Sequence, residues 1–352
     1  MNRTSRRLAV LGSALVGLLG PLLLQPATAA APSYVALGDS YASGTGTRSY
    51  ISDGTSCQRS TQAYPSLIAA ARGYALNFRA CSGATVADVT NTQLSALSAS
   101  TTQVSISVGG NDAGFADVLT ECALPGWASN CNGAVDGAQR YIANTLPASL
   151  TSLYSSIHSL APSAKVVVVG YPRIFNGEDC NALTWFSPSE ETRLNQTADQ
   201  LDARLSAAAS AAGFRFANPT SAFIGHAVCG SPEWLNGLSN PISESYHPNR
   251  TGHASGYTPL VSPKLTGTVA TATAATMRTA VASASELASR QRTYAARDAS
   301  IEPESIGVPD LHSPRVLRLA DKAGVDVNDR NSVDAADRRY SRQQAKAWTA
   351  RH

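Results

Sequence analysis

The chain has 352 residues, 43% of them hydrophobic, with 28 basic against 25 acidic side chains and six cysteines. Such a near balance of charge excludes a polybasic nucleic-acid binder. Beyond the N-terminal segment, no apolar stretch is long enough to span a bilayer.

The first 29 residues read as a secretory signal peptide. Arg3, Arg6 and Arg7 form a basic region, Leu8 to Leu24 is apolar and uncharged, and Ala27-Thr28-Ala29 supplies small residues for cleavage near Ala29 or Ala30. A membrane anchor is the rival, but the run falls short of the roughly 20 residues a spanning helix needs. The pair Arg6-Arg7 hints at twin-arginine export; cysteines that pair only after export favour the general route. With the three arginines removed the charges balance, and the mature chain is read as secreted and acting in water.

Beyond the signal, short β-branched runs alternate with Ala/Leu-rich segments. Strands are predicted at 34–37, 75–78, 104–108, 165–169 and 214–216, and their apolar runs suit parallel strands buried on both faces. Helices are predicted at 63–71, 138–160 and 189–212, the last with Ser189 as N-cap and Gly213 as the C-terminal glycine. This alternation predicts an α/β domain, residues 30–265, with helices covering a parallel five-stranded sheet. After Pro263 the composition turns Ala/Thr-rich, then proline-rich, then rich in Arg and Asp. Residues 266–352 are expected to be a helical or partly disordered extension carrying no chemistry, a solvated tail in which Leu317, Leu319 and Ala323 share a short amphipathic helix.

Six cysteines in an exported chain are compatible with disulfides throughout. The sequence leaves the pairing open, although the order Cys57, Cys81, Cys122, Cys131, Cys180, Cys229 makes sequential neighbours attractive. No Cys-x-x-Cys pair and no histidine at zinc-finger spacing occurs, so no metal is expected.

Candidate chemistry sits at strand ends. Gly38-Asp39-Ser40 follows the first strand, where ligands bind in open parallel sheets. Ala80-Cys81-Ser82-Gly83 follows the second, with an unobstructed backbone N–H at Gly83. Val108-Gly109-Gly110-Asn111-Asp112 follows the third, and the Asn111 amide can donate a hydrogen bond. Late in the chain comes Glu244-Ser245-Tyr246-His247-Pro248, whose His247 is suited to take a serine proton near neutral pH. Asp39 and Asp112 read as turn stabilisers. Tyr171-Pro172-Arg173 could line a pocket or simply pack. Trp127, Trp185 and Trp234 read as packing residues, and His226 and His253 as ordinary loop histidines. The glycine run 38–46 lacks both dinucleotide and P-loop patterns, so no cofactor is expected.

Taken in order, Ser40, Gly83, Asn111 and His247 strongly resemble the SGNH (or GDSL) hydrolase family, and the resemblance covers roughly residues 33–253. It implies a flavodoxin-like three-layer α/β/α sandwich. It further implies Ser40 as nucleophile, His247 as base, and an oxyanion hole from the Ser40 and Gly83 N–H groups with the Asn111 amide. Secreted actinomycete lipases and esterases of this family share sequential disulfides, which implies Cys57–Cys81, Cys122–Cys131 and Cys180–Cys229. The family commonly orients its histidine with an Asp three residues before it; here that position is Glu244. In some secreted relatives a backbone carbonyl two residues before does so, here that of Ser245. The resemblance implies a monomeric lipase or carboxylesterase acting on small-molecule or lipid esters. Phospholipase A1 and carbohydrate O-acetylesterase are alternative enzyme readings, and a non-catalytic surface-binding protein is the alternative of another class.

Overall fold

The computed structural model describes Met1 and residues 31–350. The signal-peptide reading falls outside these residues.

A sheet ordered β2-β1-β3-β4-β5, every pairing parallel, organises residues from Ala31 onward. In chain order its elements are β1 (Ser33–Gly38), α1 (Ser40–Ser43), α2 (Tyr64–Arg72), β2 (Ala75–Phe78), α3 (Val86–Asp88), β3 (Gln103–Ser107), α4 (Phe115–Cys122), α5 (Cys131–Asn144), α6 (Leu146–Leu160), β4 (Lys165–Val169), α7 (Pro188–Ala211), β5 (Arg215–Ala217) and α8 (Thr258–Thr266). Strand β3 is buried from end to end and Val166 to Val169 of β4 are buried, as a parallel sheet covered on both faces demands. Because the order reverses between β1 and β3, a crevice opens at the carboxyl ends of those two strands.

Several strand and helix limits shift by a residue, α5 begins at Cys131, and two helix ends differ from the pattern-based expectation for a physical reason. The segment predicted as one helix over 138–160 is two, parted at Thr145. Pro147 lacks the N–H that a continuous helix would need and its ring would strike the preceding turn, so it opens α6 instead. Helix α7 is capped by Ser187, not Ser189: the Ser187 side chain meets the Glu190 N–H while Glu190 reaches back, with Pro188 first in the helix.

Disulfides join Cys57 to Cys81, Cys122 to Cys131 and Cys180 to Cys229. The first ties the segment after α1 to the loop carrying Gly83.

The C-terminal residues, expected as a solvated tail, dock on this body. They form α9 (Ala274–Ala282), α10 (Ala284–Arg292), α11 (Ala295–Asp298), α12 (Pro314–Ala323) and α13 (Arg330–Thr349). Leu287, Ala288, Ile301 and Ile306 join the main core. Val316 and Ala320 of α12 and Val333 and Ala336 of α13 bury a second cluster with Leu124, Trp127, Ala128 and Trp185. Helical spacing of small apolar residues gives each helix one face to bury. On α12 that face is Val316 and Ala320, flanked by Leu319 and Ala323, while Leu317 is exposed.

Candidate active site

The site begins where β1 ends. Gly38 takes φ +123° with its Cα so close to β3 that a Cβ would stand 2.2 Å from the Ser107 carbonyl oxygen, so only glycine fits. The chain then turns into α1, capped by Asp39, whose Oδ1 accepts from the Tyr41 N–H at 3.0 Å. That turn sets Ser40 at the head of the crevice.

His247 meets it from the late loop. Its Nε2 lies 2.8 Å from Ser40 Oγ, and its Nδ1 lies 2.8 Å from the Ser245 carbonyl oxygen. The loop is pinned by Asn236, which exchanges backbone hydrogen bonds with Tyr246 and His247, and by the Tyr41 hydroxyl donating to the Tyr246 carbonyl at 2.7 Å. Glu244 points elsewhere, accepting from Arg48 Nε at 2.9 Å and from the Tyr50 hydroxyl at 2.7 Å.

Asn111 lines the crevice at Ser40, and with Gly83 and Glu304 it also lines an adjoining hollow. The Asn111 amide donates to the Ala84 carbonyl at 3.0 Å, and Asp112 accepts from the Val86 N–H, so the loops after β2 and β3 are stitched together. Asp39 receives a short hydrogen bond from the Tyr171 hydroxyl. Burial raises the Asp39 carboxyl to about 7, against the lowering pull of that hydroxyl. Tyr171 and Pro172 line the crevice, whereas Arg173 forms an outer ion pair with Asp199.

From Ser40 a narrow cleft of about 50 Å³ runs between α4, α5 and α7. Phe115, Val118, Ala138, Ile142, Leu194 and Leu201 make its walls apolar. Trp127 and Trp185 lie under α12 and α13 instead, and Trp234 stacks on His226. His253 is no loop residue. It is fully buried in a wide helical turn, where burial pushes its pKa down to about 3 and its Nδ1 accepts from the Tyr64 N–H.

One group in the site was not anticipated. Glu304, from the segment between α11 and α12, places Oε2 2.9 Å from Ser40 Oγ and 3.1 Å from His247 Nε2. Its side chain is only 4% exposed. Burial alone would lower the His247 pKa, but the Glu304 carboxylate and the Ser245 carbonyl outweigh it and raise it. Burial would raise Glu304, yet His247 and the Ser40 hydroxyl hold it below the usual carboxylate range. No local pattern marks Glu304; the signal available was the isolated pair Ile301 and Ile306 on either side of it in a polar stretch.

The same body is similar to known proteins. Residues 36–255 match the GDSL-like Lipase/Acylhydrolase family. Lipase 1 of Streptomyces coelicolor is 45% identical over 253 residues, covering 71% of this chain and 92% of its own. A lipase of Streptomyces rimosus is 42% identical over 266 residues, covering 74% and 98%. The crystal structure of an extracellular lipase from Streptomyces rimosus superposes with TM-score 0.63 at 43% identity, covering 66% of this chain and 98% of that one. That of phospholipase A1 from Streptomyces albidoflavus superposes with TM-score 0.64 at 43% identity, covering 67% and 100%. A serine and a histidine in hydrogen-bond contact at the head of this sheet, within a match that spans most of the folded body, mean that the chain belongs to the GDSL-like lipase/acylhydrolase family.

Proposed function

We propose that the protein is a secreted serine ester hydrolase that cleaves lipid acyl esters through an acyl-enzyme on Ser40. The observation that carries this reading is the relay in which Nε2 of His247 meets Ser40 Oγ while its Nδ1 rests on the Ser245 carbonyl, both at 2.8 Å. That carbonyl can only accept, so it fixes the proton on Nδ1 and leaves Nε2 free as base when the ring is neutral.

In the reaction Ser40 Oγ attacks the ester carbonyl carbon as Nε2 takes its proton. The Ser40 and Gly83 N–H groups and the Asn111 amide stabilise the oxyanion. The carbon–oxygen bond then breaks, and the alcohol leaves with the proton held by His247. Water then attacks the acyl carbon as the same imidazole takes its proton; the acyl C–Oγ bond breaks, Ser40 Oγ regains the proton from His247 and the carboxylic acid is released. In this reading Ser245 is a positioning residue and Glu244 is structural.

The apolar cleft beside Ser40 favours acyl chains longer than acetyl, which argues against an O-acetylesterase. A phospholipase A1 reading draws on the likeness to the Streptomyces albidoflavus enzyme, and it needs only a different alcohol portion at the open end of the cleft. The presence of both Ser40 and His247 in contact argues against a non-catalytic binding protein.

A panel of p-nitrophenyl esters of increasing chain length, with a phosphatidylcholine, tests the proposal. Ser40→Ala should abolish turnover, and Asn111→Ala should lower kcat about 10²–10³-fold without unfolding. A Ser40→Ala variant as active as wild type would overturn the mechanism.

A further inference from the structure

The segment that carries Glu304 crosses the site like a strap. Upstream it is anchored by Asp298, fully buried, which pairs with Arg59 Nη2 at 2.7 Å and Arg79 Nη2 at 2.6 Å. The Arg79 guanidinium also lies 3.9 Å over the Tyr294 ring. Ile301 then enters the main core. Downstream, Ile306 enters it again and the Gly307 N–H donates to Thr120 Oγ1 at 2.8 Å. Past the strap, Arg315 grips Glu121 with both terminal nitrogens and Asp337 accepts from the Gly126 N–H.

Between these anchors the chain lies directly on the candidate oxyanion site. A Cβ at Gly83 would stand 2.0 Å from the Glu302 carbonyl oxygen and 2.9 Å from the Glu304 N–H nitrogen. Glu304 itself reaches both reacting groups. In the charge state this contact favours, the imidazole is protonated and the Ser40 hydroxyl donates to Glu304. The base has lost its lone pair, and the Ser40 hydroxyl proton is committed to Glu304 although Nε2 stays 2.8 Å from Oγ. A substrate carbonyl would need the space that the strap fills. The adjoining cleft of about 50 Å³ is far below the roughly 300–1,000 Å³ of most ligand pockets.

We infer that the C-terminal extension is an intramolecular inhibitor of the hydrolase, with residues 301–306 as a strap and the Glu304 carboxylate seated on Ser40 and His247 in the manner of a bound carboxylic acid product. The inference rests on the acyl-enzyme reading above. The family match ends at residue 255, before the extension begins, and the 45%-identical Streptomyces coelicolor relative is matched over 92% of its own length by 253 residues. Release comes from cutting the exposed stretch Gly267–Val269, which joins the extension to the hydrolase body, or from displacement of the strap by substrate.

The test uses the full chain. Rates of Ser40 labelling by a fluorophosphonate, and of p-nitrophenyl butyrate hydrolysis, are compared for wild type, Ser40→Ala and Glu304→Ala. A fourth protein carries a site-specific protease sequence at Gly267–Val269 and is assayed before and after cutting and dilution, so the question is answered even if Glu304→Ala fails to fold. Loss of a buried charge-assisted contact predicts that Glu304→Ala reacts roughly 10–100-fold faster than wild type, with cutting having the same direction of effect. Equal rates in wild type, Glu304→Ala and cut protein, with Ser40→Ala silent, would overturn the inference and leave the hydrolase reading intact. No labelling in any form would remove the hydrolase reading and the inference together.

Discussion

Asp298 is where the extension's attachment can be measured. Its carboxylate accepts from Arg59 Nη2 at 2.7 Å and from Arg79 Nη1 and Nη2 at 3.1 and 2.6 Å, and all three side chains are wholly buried. Asp298→Ala leaves Arg59 with Asp53 at 2.6 Å. It leaves Arg79 with only the Gln291 and Thr92 oxygens, and among the described residues no other carboxylate lies within ion-pair distance. Removing one partner of a buried pair costs about 3–5 kcal/mol, which in a unit of this size lowers Tm by roughly 4–8 °C. Thermal unfolding followed by circular dichroism reads this directly. The cause is isolated by a cycle with Arg79→Met: without the guanidinium there is nothing left to neutralise, so the second substitution should couple to the first by about 1–3 kcal/mol. Strictly additive losses, or a Tm change no larger than a surface substitution gives, would refute the assignment of Asp298 as the counter-charge of Arg79.

Three further outcomes are expected. Ala198→Phe, at the cleft wall, should cut the ratio of octanoyl to butanoyl kcat/KM by roughly 10–100-fold, and an unchanged ratio would mean that the acyl chain lies elsewhere. Glu244→Gln should keep most activity while losing stability at Arg48 and Tyr50; a fall of about 10⁴ in kcat would hand the orienting role to the carboxylate. Strap closure should depend on pH in a defined direction. Raised His247 contributes fully below its ordinary value of 6.5 and loses its contribution as pH rises through the raised value, whereas lowered Glu304 contributes above 4.5 and loses it as pH falls through the lowered one. The rate ratio of Glu304→Ala to wild type should therefore peak between those two values and decline in alkali. Asp39 titrates near 7 beside them and broadens that decline; His253, held neutral, and Tyr41, pushed upward by burial, take no part. A ratio rising into alkali would contradict the ion pair.

What could be read from the sequence was what depends on near neighbours. The apolar runs of β1 and β4 are recognisable because a strand buried on both faces is mostly apolar, whereas β3 is found by its alternating Val104 and Ile106 and buries Gln103, Ser105 and Ser107 as well. The ends of helices were harder: Pro147 parts α5 from α6, but Ala/Leu periodicity runs straight through it. Ser187 and Ser189 are both acceptable caps by type, and only the reach of Glu190 decides between them. Ser40 and His247 stood out because each follows a recognisable block, although 207 residues separate them. Glu304 did not, since its meaning lies wholly in a contact across 264 residues. The extension looked solvated because its composition is polar, yet a few apolar residues on one face of each helix were enough to dock it. Averaged composition hides a stripe.

The attachment of Glu304 to the same chain sets how the closed state responds to its surroundings. A separate inhibitor falls away when the protein is diluted after export. A tethered one is presented at an effective concentration on the order of millimolar whatever the volume outside the cell. Dilution therefore leaves the ratio of closed to open molecules unchanged, whereas pH, severing the tether or an excess of competing ester alters it.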